Sequence, residues 1–187
     1  MYSTDLSARL GAVLDPEPDH RPGPGDRLAA VLVPVIEDRW LVFTRRSEAL
    51  PRHPGEISFP GGIRHEEDAT IADTALRETR EELGIDPGDV EVLGALPPVH
   101  TFVSGILVVP FVGRLAVRPR YRPNAGEIAE VLEYGLDELA AAETDVEWFR
   151  GTARYRGFAY HMGPNTIWGA TARILHSLLE LVPRGSA

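Results

Sequence analysis

Three glutamates, Glu78, Glu81 and Glu82, lie close together in a short stretch of the chain. On a helix, their spacing of i, i+3 and i+4 places the three carboxylates on one face. Their mutual repulsion would be removed by a divalent cation, and hard oxygen donors of this kind suit Mg²⁺ or Mn²⁺. The alternative is a solvated acidic face, which is common on helices. The three glutamates are therefore candidate metal ligands and candidate catalytic groups.

Residues on either side of these glutamates extend the candidate site. Gly61 and Gly62 allow a tight turn at which the backbone could approach a metal, so the carbonyl of Gly62 is a further candidate ligand. Arg77 is expected to pair with one of the glutamates and hold its orientation, as residues that hydrogen-bond to a metal ligand do. The alternative for Arg77 is a plain surface ion pair. We interpret Asp68, which precedes the glutamates, as a helix cap.

Composition limits the functions that this chain can have. Its 187 residues, with 43% hydrophobic and 25% charged residues, fit one ordinary globular domain. The formal net charge is −9, and no lysine is present, so all 19 basic side chains are arginine. This acidic balance argues against sequence-independent binding to nucleic acid, which needs a positive surface. The absence of cysteine excludes disulfides, thiolate metal sites and a cysteine nucleophile.

The elements that position the glutamates follow from hydrophobic periodicity. A helix is predicted over 68–83, beginning at Asp68 or Thr70 and ending at Gly84. Further helices are predicted near 3–15, 136–142 and 166–181. Strands are predicted over 28–36, 40–45, 90–96, 106–117, 128–134, 147–149 and 153–160, with a loop over 46–57 and a short strand and turn over 58–62. Many strands with few helices between them predict an α/β fold, a mixed sheet covered on both faces in an α/β/α sandwich.

The stretch from Gly62 to Ile85 resembles the signature of the Nudix hydrolases. The matching residues are Arg77, Glu78, Glu81, Glu82, Gly84 and Ile85. The distance from Gly62 to Arg77 is one residue longer than in the family pattern, Asp68 stands where glutamate is usual, and Thr79 replaces an aliphatic residue. The resemblance implies a Nudix-type α/β/α sandwich that hydrolyses a nucleoside diphosphate derivative with Mg²⁺ or Mn²⁺. The implied partner is a small-molecule nucleotide, with no nucleic acid or membrane.

The longer spacing and Asp68 are typical of the Nudix subfamily that hydrolyses coenzyme A and its thioesters. The run 41–62 is similar to the upstream signature of that subfamily, which it matches at Thr44, Arg46, Ser47, Gly55, Phe59, Pro60, Gly61 and Gly62. Pro51 falls where the signature has an arginine, and Arg52 follows one position later. The resemblance implies that coenzyme A is split to adenosine 3′,5′-bisphosphate and 4′-phosphopantetheine or its acyl form.

Residues outside the glutamate helix complete the expected site. The resemblance implies that the general base can come from outside the signature stretch 62–85, called the Nudix box, and Glu127 is the candidate for that role. The alternative is that Glu127 is a solvated loop residue. Arg46, Arg52 and His53 are candidate phosphate contacts, because guanidinium groups match phosphate oxygens in bidentate geometry. For each of these three residues, a solvated surface position is the alternative.

Other interpretations remain open. An enzyme of the same fold could act on ADP-ribose, NADH or a nucleoside triphosphate, and a Nudix-fold module could bind a nucleotide without catalysis. Such modules usually lose the glutamates that this chain retains. Among the aromatic residues, Trp168 is predicted to pack in the core, and Phe102 and Tyr121 are weaker candidates for stacking on a base. A homodimer is a further expectation from the family resemblance.

Three segments divide the chain by character. Residues 1–26 comprise an N-terminal helix and a linker rich in proline, glycine and charge. Residues 27–181 are assigned to the Nudix domain. Residues 182–187 resemble part of a thrombin cleavage site of the kind that expression vectors encode. They are therefore excluded from the fold prediction. No apolar run is long enough to span a membrane and no signal peptide is recognisable, so a cytoplasmic location is expected.

Overall fold

The computed structural model describes residues 6–18, 20–101, 105–150 and 153–182. The helices in these ranges are α1 Leu6–Val13, α2 Ile71–Leu83, α3 Leu136–Ala141 and α4 Gly169–Leu181, with a 3₁₀ turn at Pro87–Asp89. The strands are β1 Arg27–Ile36, β2 Trp40–Arg46, β3 Ile57–Ser58, β4 Gly61–Ile63, β5 Glu91–Ala95, β6 Val99–Thr101, β7 Ile106–Leu115, β8 Ile128–Gly135, β9 Glu143–Arg150, β10 Ala153–Met162 and β11 Asn165–Ile167.

Eight strands form one mixed sheet. Its path runs β3-β2-β1-β7-β5, with β4 paired to β1, β6 to β7 and β8 to β2. β1 and β7 are parallel over ten residues, from Arg27 opposite Ile106 to Ile36 opposite Leu115, whereas the other pairs are antiparallel. Parallel strands need a long crossover connection, and here that crossover contains α2. The mixed sheet predicted from the sequence is confirmed.

Helices cover both faces of this sheet. Successive residues of a strand point to opposite faces, so the side chains of β1 alternate between two core clusters. Ala29, Val33 and Val35 belong to the cluster that includes α1, α3 and α4, while Ala30 and Leu32 belong to the cluster that includes α2. Burial on both faces explains why β1 is almost continuously apolar. The predicted α/β/α sandwich is therefore confirmed.

The remaining three strands form a separate antiparallel sheet, ordered β11-β10-β9. Its buried side chains Tyr160, Met162 and Ile167 join the cluster beneath α4. Strands predicted over 147–149 and 153–160 are both present, and each is longer than predicted. β9 is longer because it pairs with β10 from Glu143 to Arg150, and β10 extends to Met162 because its end pairs with β11.

The start of the last helix differs from the prediction. That helix was expected from 166, but β11 occupies Asn165–Ile167 and Gly169 has a φ of 65°, so α4 starts at Gly169. Trp168 is the residue between them, and it is 56% exposed. The prediction that Trp168 packs in the core is wrong, because it took 166–181 as one continuous helix. β6 was not predicted.

Residues near both ends of the described chain belong to the main core. Leu6, Leu10 and Leu14 are buried in the cluster that includes α4. Val182 is also buried in that cluster, and residues 183–187 lie outside the described residues. None of the described helices is long and apolar enough to cross a membrane.

Candidate active site

Helix α2 begins at a reciprocal cap. The Oγ1 atom of Thr70 accepts a hydrogen bond from the backbone N–H of Asp73 over 3.1 Å, and the Asp73 carboxylate accepts the Thr70 N–H over 2.8 Å. Such a capping box satisfies two N–H groups that a helix start leaves unpaired. The helix ends at Gly84, which adopts a left-handed φ of 70°. Thr70 is therefore the cap, and the interpretation of Asp68 as a cap is wrong.

Asp68 instead holds Arg77. Its Oδ1 lies 2.9 Å from Nε of Arg77 and its Oδ2 lies 3.1 Å from Nη2, a bidentate pair. Oδ2 also accepts from Oγ1 of Thr74 over 2.8 Å and from the backbone N–H of His65 over 2.9 Å. The Arg77 guanidinium keeps the pKa of Asp68 far below its usual range, against the opposing effect of burial. The pair ties the segment before α2 to the middle of the helix.

The same guanidinium reaches the glutamates. Nη1 of Arg77 lies 2.8 Å from Oε1 of Glu78 and 3.2 Å from Oε2 of Glu81. Its Nη2 also donates to the backbone carbonyl of Ile63 over 3.2 Å. Arg77 therefore links β4, Asp68 and two of the three box glutamates, an arrangement suited to orienting them.

Glu82 is the most enclosed of the glutamates. It is 4% exposed, and its Oε2 has no hydrogen-bond partner among the described residues. Burial away from water disfavours the charged form and raises the pKa of Glu82 to about 8. The negative charge of Glu78 contributes to this rise in the pKa of Glu82, and the backbone N–H of Gly61 opposes it. To smaller extents Arg46 opposes the rise and Glu127 contributes to it. A buried carboxylate without a full set of partners is costly, and such groups concentrate at functional sites.

Glu78 lies against the glycine turn. A Cβ at Gly62 would come within 2.5 Å of the Glu78 carboxyl group, so a side chain there would displace the glutamate. A Cβ at Gly61 would lie 2.3 Å from the carbonyl oxygen of Ala30. Burial raises the pKa of Glu78, and its hydrogen bond from Arg77 opposes that shift. Gly62 therefore allows the close approach of β4 to Glu78 of α2, and Gly61 allows that of β4 to β1. The Gly62 carbonyl stays a predicted ligand.

Glu81 differs from its two neighbours because its side chain is 55% exposed. Across the described residues, no group of three or more Asp, Glu, His or Cys side chains is arranged to hold a metal ion. Glu78 and Glu82 nevertheless supply carboxylate oxygens close enough for one charge to raise the other's pKa, and Oε2 of Glu82 is unpartnered. This pair of carboxylates fits a hard divalent cation, and Glu81 stays a predicted ligand.

A segment distant in sequence closes the end of α2. The backbone N–H of Arg122 donates to the carbonyl of Leu83 over 2.8 Å, and that of Asn124 donates to the carbonyl of Glu82 over 3.0 Å. These bonds satisfy two of the carbonyls that a helix end leaves unpaired. They also bring the exposed Glu127 close enough for its charge to act on Glu82. This anchor at the end of α2 could not be predicted from the sequence, since no local pattern reports it.

The three predicted phosphate contacts have different surroundings. Arg46 ends β2 at a bulge in its pairing with β8; its charge acts on Glu82, and its Nε is buried with no hydrogen-bond partner among the described residues. Arg52 is exposed on the loop that follows. His53 has a φ of 55°, and its Nδ1 lies 2.8 Å from Oε2 of Glu56. The structure thus brings Arg46 to the glutamates and leaves Arg52 and His53 on the outer loop.

Tyr121, one candidate for base stacking, has packing contacts instead. It packs against the core cluster that contains Leu83, and its hydroxyl donates to Oε1 of Glu133 over 2.6 Å. Burial and this hydrogen bond raise the pKa of the phenol. Phe102, the other candidate, lies outside the described residues.

Comparison with known proteins identifies this arrangement. The NUDIX domain family matches residues 26–153, which is more than half of the chain and includes every residue of the site described above. The chain belongs to the Nudix family. Nudix hydrolases use divalent metal ions and act on small-molecule nucleotides.

Relatives of similar length support the same assignment. The Nudix hydrolase NudL of Pectobacterium atrosepticum is 43% identical over 167 residues, which cover 86% of this chain and 85% of the relative. NudL of Photorhabdus laumondii is 38% identical over 173 residues, which cover 89% of this chain and 91% of the relative. The protein is therefore a Nudix hydrolase, and the names of these relatives specify no substrate.

Solved structures support the fold. A MutT/nudix family protein from Enterococcus faecalis matches with a TM-score of 0.51 and 16% identity, covering 88% of this chain and 62% of that chain. The NUDIX domain of Shewanella oneidensis NrtR, complexed with ADP ribose, matches with a TM-score of 0.50 and 16% identity, covering 67% of this chain and 81% of that chain. At this identity the similarity shows the Nudix fold alone.

Proposed function

We propose that this Nudix hydrolase splits the diphosphate of coenzyme A or its thioesters with Mg²⁺ or Mn²⁺. The products would be adenosine 3′,5′-bisphosphate and 4′-phosphopantetheine or its acyl form. The observation that carries hydrolysis is the buried Oε2 of Glu82, which has no hydrogen-bond partner among the described residues although it lies beside Glu78. The run 41–62 and the lengthened distance from Gly62 to Arg77 support coenzyme A as the substrate, because both resemble the coenzyme A subfamily.

Carboxylates of α2 would hold the cation. Glu78 and Glu82 are its main ligands in this proposal, with Glu81 and the carbonyl of Gly62 as further ligands. When bound, the divalent cation neutralises diphosphate oxygens and favours attack by water. The unpartnered oxygen and the raised pKa of Glu82 support this assignment. A bound cation would give the oxygen a partner and would stabilise the charged form of the carboxylate.

Other side chains handle the proton and the phosphate charge. Glu127, or one of the helix glutamates, accepts a proton from the attacking water while the bridging P–O bond breaks. Arg46, whose Nε is buried and unpaired among the described residues, donates to a phosphate oxygen. Arg77 acts as a positioning residue through its ion pairs with the glutamates. Arg52 and His53 would contact the substrate from the outer loop.

A different diphosphate substrate is the main alternative. Pro51 stands where the coenzyme A signature has an arginine, which weakens the match to that subfamily and keeps ADP-ribose, NADH or a nucleoside triphosphate as alternative substrates. A nucleotide-binding module without catalysis is less favoured, because Glu78, Glu81 and Glu82 are all present.

A substrate panel tests the proposal. Purified protein would be incubated with coenzyme A, ADP-ribose, NADH or a nucleoside triphosphate, with Mg²⁺ or Mn²⁺ and with EDTA, and the products resolved by chromatography. We expect the highest kcat/KM with coenzyme A and no turnover in EDTA. A clear preference for ADP-ribose would remove the coenzyme A assignment. Binding without metal-dependent turnover of any substrate would favour the binding module.

A further inference from the structure

A groove lined by basic side chains lies beside the active site. Its volume is about 800 Å³, and it forms where the segment leading into β1 meets the segment that follows β4. The basic side chains lining it are His20, Arg21, Arg27, Arg64 and His65.

This concentration of positive charge is unusual in a protein of net charge −9. Two acidic residues, Asp26 and Glu66, also line the groove. Asp26 is already engaged, since its Oδ2 lies 2.8 Å from Nε2 of His100 and 3.1 Å from the backbone nitrogen of Gly23. The groove therefore has three arginines against two carboxylates, of which Asp26 is already engaged and Glu66 is exposed. This excess of positive charge favours binding of an anion.

Arg64 retains hydrogen-bond donors for a ligand in the groove. Arg64 uses one N–H, from Nη2 to the carbonyl of Asp68 over 3.3 Å. A guanidinium has five N–H donors, so Arg64 keeps donors for an anion. The backbone N–H of Arg64 donates to the carbonyl of Leu28 over 2.9 Å, and this bond fixes the two walls of the groove to each other.

Strand β4 connects the groove directly to the glutamates. Its first residue, Gly61, contacts Glu82, and its last residue, Ile63, lines the groove. A strand advances about 3.3 Å per residue, so these two residues are roughly 7 Å apart. The charge of His65 also acts on Glu78. An anion in the groove would thus lie about one sugar away from a diphosphate at the glutamates.

We propose that this groove binds a phosphomonoester on the same nucleotide whose diphosphate is cleaved at Glu78 and Glu82. The inference rests on the proposed hydrolysis of a nucleotide diphosphate, and it adds where a second phosphate on the ribose is recognised. A phosphomonoester is dianionic and presents several oxygens, which match the forked donors of Arg27 and Arg64.

Kinetics on two substrates test the groove. Coenzyme A and dephospho-coenzyme A share the diphosphate and differ by the ribose phosphate. For Arg27→Gln, Arg64→Gln and the double variant, we expect kcat/KM on coenzyme A to fall about tenfold to a hundredfold, and to fall much less on dephospho-coenzyme A. Arg156→Gln is the matched control, because Arg156 is 74% exposed on β10 and pairs with Glu147. Equal losses on both substrates, or a selective loss only in Arg52→Gln, would overturn the proposal.

Binding without catalysis provides a second readout. Isothermal titration in EDTA would compare adenosine 3′,5′-bisphosphate with adenosine 5′-monophosphate. We expect tighter binding of the bisphosphate, and we expect that preference to shrink about tenfold or more in the double variant, with the thermal midpoint checked for each protein. Equal affinity for the two nucleotides in the unmodified protein would overturn the groove as a phosphate site.

The two readouts separate this proposal from the proposed function. If coenzyme A is not hydrolysed but the bisphosphate preference depends on Arg27 and Arg64, the groove is supported and the proposed substrate is wrong. If coenzyme A is hydrolysed and the groove variants discriminate in neither experiment, the proposed function stands and the groove proposal is wrong.

Discussion

Asp68 and Glu82 are two buried carboxylates at the same helix: Asp68 precedes the start of α2, and Glu82 lies in its last turn. Asp68, 7% exposed, is surrounded by donors, and the Arg77 guanidinium keeps its pKa far below the usual range. Glu82, 4% exposed, has an oxygen without a partner among the described residues, and burial raises its pKa to about 8. A buried carboxylate that is paired with a cationic side chain helps to hold the folded structure together, whereas a buried carboxylate without such a partner lowers the free energy of unfolding. That cost is consistent with a site built to bind a cation.

The largest expected effect comes from removing the charge of Glu82. Glu82→Gln should lower kcat by about 10³-fold at saturating Mg²⁺, because it weakens both cation binding and stabilisation of the developing charge. The same variant should unfold at equal or higher urea concentration without metal, because a neutral amide avoids the cost of protonating the Glu82 carboxylate on folding. Steady-state kinetics and urea unfolding measure the two effects. Glu138→Gln, at an exposed position of α3, is the control and should change neither. Near-normal turnover would refute the ligand assignment.

The opposite result is expected at the other end of the helix. Asp68→Asn should lower the free energy of unfolding by about 3 kcal/mol, because it removes the buried bidentate partner of the Arg77 guanidinium, which then keeps only its pairs with Glu78 and the exposed Glu81. Urea denaturation without metal measures this loss. The exposed pair between Arg156 and Glu147 provides the control, since Arg156→Gln should cost less than about 1 kcal/mol. A loss for Asp68→Asn as small as the control's would show that the pair does not fasten the helix.

The two carboxylates should also respond oppositely to pH. Glu82 has a folded pKa above its unfolded value of about 4.5, so the metal-free protein should lose stability as pH rises from 4.5 towards 8. Asp68 has a lowered pKa, so its contribution is lost only as pH falls below about 4. Between pH 5.5 and 7.5 we expect a decrease of about 2 kcal/mol in EDTA. Glu82→Gln should flatten this decrease, and an unchanged slope in that variant would rule out Glu82 as its source.

The smallest effect is expected at Glu81. Its carboxylate is 55% exposed and shares Arg77 with Glu78, so Glu81→Gln should change the free energy of unfolding by less than about 0.5 kcal/mol. Its effect on kcat should be about tenfold, well below that of Glu82→Gln. Parallel kinetics of the two variants under one metal condition measure the difference. A larger loss in Glu81→Gln would reverse the assigned order of the ligands.

Local patterns predicted the parts of the fold that depend on neighbouring residues. Helix α2 was predicted because its apolar spacing and the terminal Gly84 lie within one segment. The choice between Thr70 and Asp68 as its cap could not be made locally, because Asp68 is engaged by Arg77 nine residues later. Trp168 was misplaced because apolar spacing alone cannot show that Gly169 interrupts the helix with a φ of 65°.

In the candidate site too, only the features that depend on residues near in sequence could be predicted. The spacing of Glu78, Glu81 and Glu82 identified the carboxylate face, but not that Glu82 is buried and Glu81 exposed. That difference comes from the glycine turn and from the segment that closes the helix end at Leu83, both brought there by the sheet. The groove was not predicted because its walls come from segments that meet only when β4 pairs with β1.

The parallel pairing of β1 with β7 has a consequence for how the protein folds. Arg27 lies opposite Ile106, and the glycine turn and α2 both lie inside the crossover between them. Closing such a long loop costs chain entropy before the strand contacts compensate for it, so this step should be slow. During refolding we therefore expect helical signal to recover before Mg²⁺-dependent stabilisation. A nascent chain that has not yet reached β7 would carry its acidic helix without the sheet that aligns it.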